Sequence, residues 1–120
     1  MAYNEYQAER IRRVFEEKNI MVEEKKMMGG LCFMVDDKMC CGLLQNKSKN
    51  LDLLMARIGI EAYEGALKKE GALPMDFTGR PMKGFIFVEP TGFDLEDDLT
   101  YWVEKCLAYN PLAKSSKKKI

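Results

Sequence analysis

The sequence predicts an α+β fold: a two-layer sandwich with an antiparallel sheet of about five strands and helices packed on one face. Three observations predict it. Apolar residues recur every three to four positions near both ends and again around residue 60, as on amphipathic helices. Between the first two of these stretches the period drops to two, and the strands it implies are joined by turns too short for a parallel crossover. The chain has 120 residues, 47% hydrophobic and 32% charged, enough for one core and ordinary for a globular domain.

Residues 4–18 form the first expected helix. Ala8, Ile11, Val14 and Phe15 share one face, and Glu5, Glu9, Arg12 and Glu16 lie mostly on the other. Asn4 suits the N-cap and Asn19 the stop. From Met21 a charged strand begins, with Glu23, Glu24, Lys25 and Lys26 giving it the character of a sheet edge. Gly29 and Gly30 then allow a bend or bulge.

Leu31 to Val35 and Met39 to Leu44 read as two apolar strands of a hairpin, with Asp36 and Asp37 as its turn. A two-residue turn sets Met34 opposite Met39 and Cys32 opposite Cys41; a three-residue turn moves the register and removes both pairs. Gln45 to Asn50 is a polar turn, and Leu51 to Arg57 is the fourth strand, with Leu53, Leu54 and Met55 breaking its alternation. Glu61 to Lys69 is a short helix with Ile60, Tyr63, Ala66 and Leu67 on its apolar side, and Gly71 stops it. Ala72 to Pro81 reads as a connecting loop with two prolines. Lys83 to Val88 is the last strand, rich in aromatic and β-branched residues. The final helix covers 94–109: Asp94 opens it, and Leu95, Leu99, Trp102, Val103, Cys106 and Leu107 form its stripe. The expected order is helix, four strands, helix, strand, helix in a domain of residues 1–110. Residues 111–120, with four lysines, are expected to be a flexible basic tail.

Nineteen basic residues balance nineteen acidic ones, so no global charge draws the chain to nucleic acid or to an anionic membrane. No stretch reads as a signal peptide or a membrane span, and a cytoplasmic location is the expectation. The four cysteines are then expected as free thiols. There is no histidine, and no nucleophile-base pair is visible, which argues against an enzyme. Cys40 and Cys41 are adjacent and lack the two-to-four-residue spacing that structural zinc prefers. No metal or other cofactor is expected.

Two stretches carry a resemblance. EKKMMGGLCFMVDDKMCCG at 24–42 is similar to the glycine-bend hairpin of the TfoX N-terminal domain family, and MDFTGRPMKGFIFV at 75–88 is similar to its Gly-Arg-Pro-Met loop entering a strand. The resemblance covers about Tyr6 to Tyr109. It implies a two-layer α+β sandwich and a family named after regulators of natural transformation competence, which act with a cyclic-AMP receptor protein. It brings no catalytic residue.

The candidate functional surface is the hairpin. In the two-residue register, Leu31, Phe33 and Val35 share a face with Cys40 and Leu44, while Cys32, Met34, Met39, Cys41 and Leu43 share the other. Both faces are apolar, so either helices cover both or a partner covers one. Met34, Met39, Cys41 and Leu43 are the expected contact residues for a protein partner, a transcription factor or a second copy of the chain among them. Arg57, Arg80 and Lys83 are candidates for an anion or an acidic partner. The alternative is a thiol-based or small-ligand sensor that uses the cysteine- and methionine-rich face.

Overall fold

The computed structural model describes residues 4–27, 30–46, 51–76 and 81–112. The elements run α1 (Glu5–Glu17), β1 (Glu23–Met27), β2 (Gly30–Val35), β3 (Lys38–Asn46), β4 (Leu51–Arg57), α2 (Ile60–Leu67), β5 (Ala72–Asp76), β6 (Pro81–Val88) and α3 (Glu96–Tyr109). The strands form one six-stranded sheet in the order β1-β2-β3-β4-β6-β5. Every described pairing is antiparallel.

The fold class and the helices' placement agree with the expectation; the strand count differs by one. Ala72–Asp76, read as loop because of its prolines, pairs with β6 at the sheet edge. Pro74 lacks an N–H to donate, which an edge strand tolerates and a central one does not. The α3 start also differs. The helix begins at Glu96 with Leu95 as N-cap, so Asp94 lies outside it. Leu95 leaves the apolar stripe and stands 67% exposed.

Local chemistry explains the other boundaries. Asn4 Oδ1 accepts the Tyr6 N–H at 2.9 Å, capping α1. At the far end Asn19 takes φ 57°, a left-handed angle that asparagine tolerates. The Asn19 N–H then donates to the Glu16 carbonyl and the Ile20 N–H to the Phe15 carbonyl, both at 3.0 Å, closing the helix in a Schellman turn. Asp36 and Asp37 have φ of 56° and 62°, the pattern of a two-residue type I′ turn, and Val35 pairs with Lys38 across it.

All three helices pack on one face. Ile11 and Phe15 of α1, Tyr63 and Ala66 of α2, and Leu99, Trp102 and Cys106 of α3 join Phe33, Leu43, Leu54, Ile86 and Val88 in a single core. The buried Arg10 ties α1 to the start of α3 through hydrogen bonds donated to the Phe93 and Asp94 carbonyls at 3.1 and 2.9 Å. Trp102 Nε1 donates to the Gly92 carbonyl at 3.0 Å, which satisfies its only polar atom in the core.

The hairpin register requires a correction. Met34 pairs with Met39 as a two-residue turn demands, but Phe33 then pairs with Cys41, not Cys40. Cys40 is the extra residue of a β-bulge. A bulge sets two residues against one and lets both point to the same side, so every later residue of that strand changes face relative to a regular count. Cys40 and Cys41 therefore both enter the helix-side core, as does Leu43, while Cys32 lies opposite Gly42.

Candidate interaction face

The sheet face away from the helices is built from alternate residues of five strands. Cys32 and Met34 of β2, Met39 and Leu44 of β3, Met55 of β4, and Phe85 and Phe87 of β6 form a second apolar cluster. Leu53 pairs with Leu44 and Leu73 with Phe87, which extends the face along β4 and to the β5 edge. Glu23 and Lys25 of β1 pair with Met34 and Cys32 and give it a charged border. No described helix lies on it. Four of its residues are buried by one another (Cys32, Met34, Leu53 and Met55), whereas Met39, Leu44, Phe85 and Phe87 remain half-buried.

Of the expected contact residues, the structure puts Met34 and Met39 on this face and Cys41 and Leu43 beneath the helices. Met34, only 4% exposed, supports the surface; Met39 presents it. The bulge is the reason for the split. The residues not foreseen are Leu44, Met55, Phe85 and Phe87. Phe85 and Phe87 alternating with Ile86 and Val88 was the available signal: a strand apolar at every position is apolar on both faces.

Of the three expected cationic residues, Arg57 and Lys83 are described. The Arg57 guanidinium lies over the rings of Phe85 and Tyr109, at 5.4 and 5.8 Å from their centroids. Lys83 is exposed. Arg80 lies outside the described residues, as do Gly29, the turn at 47–50 and the tail from residue 113 onward.

All four cysteines are free and buried. Cys40 is in hydrogen-bonding contact with Cys106 and Cys41 inside the core. Hydrogen bonds from Cys106 and Cys41 lower the Cys40 thiol to about 5. Cys41 and Cys106 are held well above the ordinary thiol range, Cys41 first by its bond to Cys40 and Cys106 first by burial. Cys40, Cys41 and Cys106 are each 1% exposed. Among the described residues no group of three or more His, Cys, Asp or Glu side chains is placed to hold a metal ion. No described helix is long and apolar enough to cross a membrane.

A groove of about 390 Å³ lies away from this face, between the start of α2 and the end of α3. Ile60, Tyr109 and Leu112 line it, with Glu61 and Lys105 as its charges of opposite sign.

Residues 18–109 match the family model described as TfoX N-terminal domain. The chain belongs to the TfoX N-terminal domain family. The match spans the bulged hairpin, both sheet edges and α3 up to Tyr109, and begins just after α1. Comparison with curated proteins and with solved structures returned no match. The apolar second face distinguishes this member from a sheet with one solvated side.

Proposed function

We propose that this chain is a non-enzymatic regulatory domain that docks a protein partner on the second sheet face. The observation that carries the reading is that face itself: Met39, Leu44, Phe85 and Phe87 stay half-buried around a core of buried sulfur and leucine side chains with no described helix over them. Methionine and phenylalanine suit adaptable contact surfaces, and contiguous apolar patches on monomers mark interaction sites. Family membership supports a regulatory role, with a transcription factor as the partner class and a cytoplasmic setting. The balanced charge argues for action through protein rather than direct contact with DNA.

The test places a photo-crosslinking phenylalanine analogue at position 39 and, separately, at the exposed helix-side position 104. Crosslinks to a second copy or to another protein should form from 39 and not from 104. Met39→Asp should abolish the complex while the chain stays folded, because an unpaired carboxylate in that contact costs several kcal/mol, on the order of a weak interface's whole stability. Equal crosslinking from both positions would refute the reading. A mobility shift on DNA, with and without the crosslinked partner, separates a transcriptional role from protein binding alone.

A thiol sensor is the weaker reading. Every cysteine is 3% exposed or less. Native thiols should react with an aromatic disulfide reagent only as fast as the chain unfolds, and all four should react at once in denaturant. One fast thiol in the native chain would revive the sensor.

A further inference from the structure

Four sulfur-bearing side chains pack together on the second face. Cys32 Sγ lies 3.9 Å from Met39 Sδ. Met34 stands directly across the hairpin from Met39. Cys32, Met34 and Met55 form a separate buried cluster, with Met39 packed against it. Gly42 makes this convergence fit. It pairs with both Cys32 and Met55, and a Cβ there would stand 2.9 Å from Met55 Cε and 3.7 Å from Cys32 Sγ. The absent side chain leaves the room that the Met55 methyl fills beside the Cys32 thiol.

One thiol with several thioethers is a soft donor set, which selects monovalent copper over hard or borderline ions. Two sulfurs bound to one ion at about 2.3 Å, in tetrahedral or trigonal geometry, stand about 3.8 to 4.0 Å apart. The Cys32–Met39 separation already falls in that window. A recess of about 250 Å³ reaches the Met34 side chain between Glu23, Asp36 and Asp37. Three carboxylates at its mouth favour the entry of a cation. Met21, 92% exposed, adds a further thioether at the same mouth.

We propose that Cys32, Met34, Met39 and Met55 form a binding site for Cu(I). Cys32 supplies the thiolate, and its proton leaves to solvent as the copper–sulfur bond forms. Met39, with Met34 or Met55, supplies neutral thioether donors, so the complex with the monovalent ion carries no net charge. The site concerns the single chain and does not depend on partner docking.

The test titrates the reduced chain anaerobically with Cu(I) in competition with bicinchoninate. One ion per chain is expected, with only sulfur neighbours by X-ray absorption. The double variant Met34→Leu/Met39→Leu keeps the apolar volume and all four cysteines. It should bind at least tenfold more weakly, and Met39→Leu alone should fall between. Cys106→Ala, which alters only the thiol trio on the other face, should keep native affinity. Absence of copper uptake by the native chain would overturn the proposal. So would native affinity in the folded double leucine variant, since the Met34 and Met39 thioethers would then not be donors.

Discussion

On its helix side the sheet buries Phe33, Leu43, Leu54, Ile86 and Val88 to 1% exposure or less, under Phe15 and Trp102. On its other side the same strands carry side chains just as apolar, yet Met39, Leu44, Phe85 and Phe87 stay half-buried. Leu54 and Leu53 are neighbours in sequence and differ in what lies above them: a helix layer in one case, other sheet residues in the other. Hydrophobicity alone does not decide burial here; the layer does. The covered face holds the fold together, and the uncovered one is the face proposed for contact.

Truncation should separate the faces most sharply. Trp102→Ala removes the largest core side chain and orphans the Gly92 carbonyl, and should cost about 3–5 kcal/mol in urea unfolding. Phe87→Ala on the other face should cost about 1–2 kcal/mol, since less area leaves a packed environment. Equal costs would mean that the second face is as much a core as the first.

Deleting one of the two adjacent cysteines tests the bulge. Removing the extra residue leaves Cys41, Gly42 and Leu43 on their present faces in a regular ladder. The shortened chain should still unfold cooperatively, about 1–3 kcal/mol less stable, through the lost buried thiol and the altered strand twist. Complete loss of folding would show that the twist of the bulge is needed to seat α3 over the sheet.

The smallest effect concerns the hairpin tip, which both faces share. Asp37→Gly relieves a left-handed angle at φ 62° and should add about 0.5–1 kcal/mol, read as a small rise in melting temperature with no change in crosslinking from position 39. A loss of stability would show that the Asp37 side chain contributes more than its backbone angle costs.

Much of this was legible in the residues. The α1 stripe, the Asn4 cap, the Asp36-Asp37 turn and the four short-linked strands depend on spacing of a few positions, and local sequence carries that information. Arg10 was not legible: it reads as one more charge on a polar helix, and only the Phe93 and Asp94 carbonyls, more than eighty residues away, make it a buried tie. Ala72–Asp76 was missed because Pro74 speaks locally for a loop, while its strand state comes from an edge position beside β6.

The sequence by itself determined every element type but that of Ala72–Asp76, the α+β class and the presence of more apolar strand surface than one helix layer can cover. Tertiary structure alone decided which residues occupy which face. Strand periodicity is two, so one unpaired residue at Cys40 inverts everything after it, and nothing in the Cys-Cys pair announces which register the partner strand will accept. That choice is made by packing across the sheet, where Phe33 and Cys41 meet under α1 and α3 and leave Met34 and Met39 on the other side.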